Sequence, residues 1–174
     1  MARLPYAQHD RPDRQALVDR IVKERGSVLH LYAMLLHSAP VAEGWLNYLT
    51  AIRQKSDLAG DIREMAIMRI AHLNGAPYEA EQHAPIALKE GMTQAQLDAL
   101  PDWRPATVFS DKQRAVLAYT DAMTRDIHVP DDVFQAMHAH FDDQGVVELT
   151  ATIAAYNMVS RFLEDLQIHS HDPL

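Results

Sequence analysis

No stretch of this chain alternates apolar and polar residues for long enough to make a strand, and that rules out most folds at once. Apolar residues recur instead at helical spacing, interrupted regularly by proline or glycine. Leu17, Val18, Ile21 and Val22 share one face of a segment that Pro12 opens and Gly26 stops. A second apolar segment runs from Val28 to about His37, and Pro40 opens a third with Trp45, Leu46, Leu49 and Ile52. Gly60 and Asp61 introduce a fourth, which ends at an Asn74-Gly75 turn, and a fifth spans Pro77 to Glu90. Thr93, Ser110 and Pro130 start three more, and the last runs from about Asp142 to Ile168. The pattern predicts an all-α protein, a compact multi-helix bundle. We read residues 1–174 as one helical domain, with an N-terminal helical extension over 1–40 and a core over 41–174.

Composition narrows what such a bundle does. A chain of 174 residues buries about two-thirds of its unfolded surface, enough for a real core. Its formal net charge of −8, with no local basic cluster, repels phosphate backbones, so nucleic acid is not an expected partner. The apolar run from Val28 to Leu36 is broken by His30 and too short for a bilayer, so no membrane partner is expected either. The N-terminal stretch is polar and resembles neither a signal peptide nor an anchor, which makes the cytoplasm the expected location. There is no cysteine, which excludes disulfides, thiol catalysis and cysteine metal sites. No nucleophile elbow, phosphate loop or dinucleotide fingerprint occurs, and no cofactor is expected.

The fourth and fifth helices carry the chemistry. From Met65 to Leu73 the fourth is apolar in nearly every direction, the mark of a central, buried helix. It also carries Glu64, whose i+3, i+4 and i+7 neighbours are Ile67, Met68 and Ala71. A carboxyl on such a stripe is pushed toward its neutral form and suits proton exchange near neutral pH. The competing structural reading is a capping box, since Asp61 and Glu64 have the right spacing. The fifth helix has Ala76 as its expected N-cap, a residue with no side-chain acceptor. Glu79 and His83 follow at i and i+4, on one face, and Pro85 should bend the axis just beyond them. Here the structural reading is a first-turn acid paired with a core histidine.

The run Arg63-Glu64-Met65-Ala66-Ile67, then Asn74-Gly75-Ala76-Pro77-Tyr78-Glu79, then His83, and Gly91 before Leu97-Asp98-Ala99-Leu100, resembles the carboxymuconolactone decarboxylase family. Ser110 to Tyr119 and Ala154 to Phe162 resemble further helices of that family, so the likeness covers most of the chain from about Trp45 onward. It implies the all-α fold of alkylhydroperoxidase D and a homo-oligomer, often a trimer or hexamer. The redox members of the family carry Glu, eleven residues, Cys, two residues, Cys, three residues, His. On this sequence the glutamate falls at Glu64, the cysteines at Ala76 and Glu79, and the histidine at His83. The redox pair is gone and the proton-handling pair remains.

The resemblance implies a cofactor-independent lyase or isomerase for a small anionic cyclic or unsaturated acid, with decarboxylation of a carboxylated lactone foremost. In that scheme His83 is the acid, Glu79 sets its tautomer or raises its pKa, and Glu64 completes a buried relay. Tyr78 supplies a hydroxyl at the pocket edge. Asn157 and Arg161, i and i+4 on the last helix, would donate to the substrate and hold its carboxylate; they could equally serve contacts between helices. A non-catalytic ligand-binding or scaffold protein is the alternative. A third, an alkylhydroperoxidase-type antioxidant, is opposed by the missing thiols, because that reaction passes through a sulfenate and a resolving thiol. No metal is expected: Glu79, His83 and His72 supply at most a partial ligand set, and His138 and His140 point to different sides of a helix.

Overall fold

The computed structural model describes residues 1–9 and 11–174, and among these there are nine α-helices and no strand. They are α1 (Gln15–Arg25), α2 (His30–Leu35), α3 (Ala39–Thr50), α4 (Gly60–Asn74), α5 (Pro77–Lys89), α6 (Gln94–Ala99), α7 (Asp111–Arg125), α8 (Asp131–His138) and α9 (Asp143–Leu166). Each of the nine helical segments read from the sequence is present. One local feature was not legible there: α3 runs on into a π-helical turn, Ala51–Lys55, where only Ile52 is buried.

The chain divides into two compact units. Met1–Lys55 and Leu163–Leu174 form one, and Ser56–Phe162 the other. In the first, α3 packs on α1 and α2, with Ile21, Ala33, Leu36, Ala42 and Leu46 fully buried. The Arg25 guanidinium ties these helices together, donating to the Tyr32 hydroxyl at 3.1 Å and to Thr50 Oγ1 at 2.8 Å. The Asp172 carboxylate gathers the chain ends, accepting from the Ala2 N–H at 3.1 Å and the Tyr6 hydroxyl at 2.9 Å.

In the second unit α4 is the central helix, packed on both α5 and α7. Ten consecutive residues, Ile62 to Ala71, are buried, which is why its sequence lacks a polar face. Gly75 then takes φ +63°, a left-handed conformation that ends α4 with its N–H on the Ala71 carbonyl. The turn is short enough to send α5 straight back along α4. Ala76 is the N-cap of α5 and makes no side-chain cap bond, and the helix continues through Pro85 to Lys89.

Thr93 and Ser110 cap their helices as their sequences predict, whereas Ser38, the N-cap of α3, makes no side-chain cap bond. Thr93 and Gln96 form a capping box on α6, as do Ser110 and Gln113 on α7. Gln96 also reaches Gln113 at 3.2 Å, so the two boxes brace each other. Thr93→Ala is therefore expected to lower stability by about 1 kcal/mol, read as a lower urea midpoint at unchanged m-value.

Candidate functional site

Two helices position the site. Glu64 lies in the first turns of α4, and the Gly75 turn brings His83, on α5, back alongside it. His83 Nδ1 is 2.7 Å from Glu64 Oε2, with Glu64 fully buried and His83 only 7% exposed. The other carboxylate oxygen of Glu64 accepts from Arg63 Nε at 3.1 Å. Arg63 in turn lies 3.7 Å from Glu90, at the far end of α5. The Tyr156 ring from α9 and the His83 imidazole make a T-shaped contact, with planes at 90° and centroids 5.1 Å apart.

This arrangement corrects one part of the sequence reading. α4 begins at Gly60 with Ala59 as its N-cap, so Glu64 is too far along to be the third helical residue of a capping box, and its carboxyl serves His83 and Arg63 instead. The structure also gives His83 a partner on the neighbouring helix, Glu64. Glu79 is buried as well, at 2% exposure, but its Oε2 accepts from Ser160 Oγ of α9 at 2.9 Å. Thus α5 presents Glu79 and His83 on one face, and α9 and α4 each hold one of them.

The remaining candidates fall in other places. Tyr78 is buried in the first turn of α5. Asn157 and Arg161 form a separate network one helical position round from Tyr156 and Ser160. Asn157 Nδ2 donates to Thr124 Oγ1 and to the Ile153 carbonyl, each at 3.0 Å. Asn157 Oδ1 accepts from Asn74 Nδ2 at 3.1 Å and from Arg161 Nη1 at 3.0 Å. Arg161 is exposed, so it is the cation of this group that solvent or a solute reaches. His72 is exposed on α4, and among the described residues no group of three or more histidine, aspartate or glutamate side chains is arranged to hold a metal ion.

Ser160 is the member of this cluster that sequence reasoning missed. A faint signal existed: Leu149, Ile153, Tyr156, Ser160 and Leu163 follow one buried stripe of α9, and serine is the small polar residue in it. The Arg69–Asp121 pair was missed too. Arg69 Nε and Nη2 grip both oxygens of Asp121 at 2.6 and 3.0 Å, tying α4 to α7.

Chemically, the Glu64–His83 pair can hold and move one proton. An ionised Glu64 accepts from His83 when the ring carries a proton on Nδ1. Burial strengthens the coupling, because the carboxylate has little water to turn to.

A sequence model of the carboxymuconolactone decarboxylase family matches residues 39–122, the stretch holding Glu64, Glu79 and His83. The chain is 30% identical over 126 residues to the uncharacterized protein YnjA of Escherichia coli K12, a match covering 72% of this chain and 66% of that one. That is just under two-thirds of the relative's length. Among solved structures, an alkylhydroperoxidase AhpD core from Ralstonia eutropha, described as an uncharacterized peroxidase-related protein, superposes with a TM-score of 0.84 at 19% identity, over 98% of this chain and 93% of that chain. The debrominase Bmp8, solved in complex with 2,3,4-tribromopyrrole, superposes with a TM-score of 0.81 at 14% identity, over 98% and 94%. At these identities the superpositions establish the alkylhydroperoxidase D-like fold.

Proposed function

We propose that this cysteine-free chain, which a model of the carboxymuconolactone decarboxylase family matches over residues 39–122, is a thiol-free, cofactor-independent lyase or isomerase acting by proton transfer. The substrate class is a small anionic cyclic or unsaturated acid, foremost a carboxylated lactone. The observation that carries this reading is the buried 2.7 Å contact between Glu64 and His83.

Decarboxylation of such a lactone leaves an electron pair delocalised toward the ring carbonyl as a dienolate. Carbon then takes one proton for each carbon dioxide released. His83 is the donor in this scheme, through Nε2, and Glu64 holds its tautomer and stabilises the imidazolium before transfer. Arg63, on the other oxygen of Glu64, keeps that carboxylate ionised and oriented. Arg161, exposed beside Asn157, is the cation proposed to hold the substrate carboxylate. Tyr78 and Asn157 complete the proposed binding groups. Assembly as a homo-oligomer, a trimer or hexamer, belongs to the same proposal, as does a cytoplasmic location. Among the described residues, no helix is long and apolar enough to cross a membrane.

Carbon dioxide release from the purified protein given carboxymuconolactone, without any reductant, is the expected result. No release would remove this substrate from the proposal. Tight binding of the lactone without turnover would move the protein to the non-catalytic alternative.

A further inference from the structure

Arg63 ties Glu64 to a second carboxylate, that of Glu90. Its Nε donates to Glu64 Oε1 at 3.1 Å, and its Nη2 stands 3.7 Å from Glu90 Oε2. Among the described residues the Arg63 guanidinium pairs with these two carboxylates and no other. Its side chain is nearly buried, at 10% exposure, whereas that of Glu90 is 38% exposed. A partly exposed pair at that distance adds little to stability, so the effect of Glu90 lies in where it holds the guanidinium.

The start of α4 is shaped to this contact. Gly60, its first residue, sets a bare Cα against the Glu90 side chain. A methyl carbon there would stand 2.7 Å from Glu90 Cδ and overlap the carboxylate. Gly60 is not among the residues with positive φ, so glycine is needed here for space rather than for backbone conformation. A line of contacts therefore runs inward from the surface: Glu90 to Arg63, Arg63 to Glu64 Oε1, and Glu64 Oε2 to His83 Nδ1 at 2.7 Å. All of these groups lie within the unit Ser56–Phe162.

We propose that Glu90 is a positioning residue for the Glu64–His83 pair, acting through Arg63, and that Gly60 is the small residue that lets it reach. With Glu90 in place the planar guanidinium is gripped at two nitrogens and cannot turn, so its Nε–H stays on Glu64 Oε1. That contact helps set the plane of the carboxylate and aims Oε2 at the ring. Without Glu90, the guanidinium is gripped by Glu64 only, and the carboxylate loses part of what orients it. Its bearing on turnover rests on the reading of Glu64 and His83 as a proton-transfer pair; the positioning does not.

NMR of the substrate-free, nitrogen-15-labelled protein at one fixed pH tests it. In Glu90→Gln the Arg63 Nε–H is expected to exchange faster with water, and the ring-nitrogen shifts of His83 to move from their wild-type values. Gly60→Ala pushes the Glu90 carboxylate aside while leaving its charge on the protein, and is expected to produce both changes. It thus separates position from charge. In a Glu90→Ala background the same Gly60→Ala change is expected to add nothing, because the group it displaces is gone. An Arg63 Nε–H as protected in Glu90→Gln as in wild type overturns the proposal, and so do His83 shifts that stay put. A Gly60→Ala effect that persists in full in the Glu90→Ala background removes Gly60 from it. Because no substrate is present, a failure here leaves the decarboxylation test standing, and a failed decarboxylation test leaves the Arg63 and His83 signals to be read as before.

Discussion

His83→Ala is expected to lower turnover of the carboxylated lactone by about 10²–10⁴-fold, the usual contribution of a positioned general acid. In the proposed scheme the imidazole transfers the proton while Glu64 orients it and stabilises the imidazolium, so Glu64→Gln should lose less. An amide at Glu64 still meets Nδ1, but it neither stabilises an imidazolium nor attracts the Arg63 guanidinium as a charge does. Alanine at His83 also leaves a buried carboxylate short of one donor, which costs about 1–3 kcal/mol and could blur the result. His83→Asn separates the two effects, since its side-chain amide can donate to Glu64 but cannot transfer a proton. Loss of turnover in His83→Asn, with thermal stability near that of wild type, isolates the chemical role. Turnover unchanged in either variant sinks the assignment of His83.

The fold was legible because helix punctuation is local. Pro12, Gly26, Pro40, Gly75, Thr93, Ser110 and Pro130 each act within a few residues, and each stands at a helix boundary or within a residue or two of one. The site was legible only in part. That Glu64 and His83 sit on consecutive helices follows from the sequence, and their approach follows from a tight turn at Gly75. That Glu64 meets the ring does not follow: sequence spacing pairs His83 with Glu79 at i, i+4, whereas Glu64 reaches it across the α4–α5 contact. Ser160 lies 81 residues from Glu79, and no local rule connects them. Asp121 lies 52 residues from Arg69, inside a helix whose other polar residues gave no reason to single it out.

That missed pair carries the largest expected loss of stability. Asp121 is 4% exposed and accepts four hydrogen bonds: two from Arg69, one from Arg104 Nη1 at 2.9 Å and one from Trp103 Nε1 at 3.2 Å. Arg69 Nη1 also donates to the Leu100 and Pro101 carbonyls at 2.8 and 3.1 Å, so one guanidinium joins α4 to α7 and to the turn after α6. Removing either partner strands the other's buried charge, and Asp121→Ala is expected to cost about 3–5 kcal/mol in urea unfolding at neutral pH. The acid side provides an independent check. Burial pushes the Asp121 carboxyl up, but the hydrogen bonds and charge of Arg69, with Arg104 and Trp103, outweigh it and hold the group below the usual aspartate range. A depressed folded pKa means the stabilisation is complete above the unfolded value of about 3.9 and is lost as pH falls through the folded one. Wild-type stability should therefore show no contribution from this group to its pH dependence near neutrality, and a loss below about pH 4 that Asp121→Asn lacks. An acid limb of equal steepness in Asp121→Asn would mean that the carboxylate is not held as the geometry requires. A smaller, pH-independent cost would mean that packing around Trp103, rather than the ion pair, joins α4 to α7.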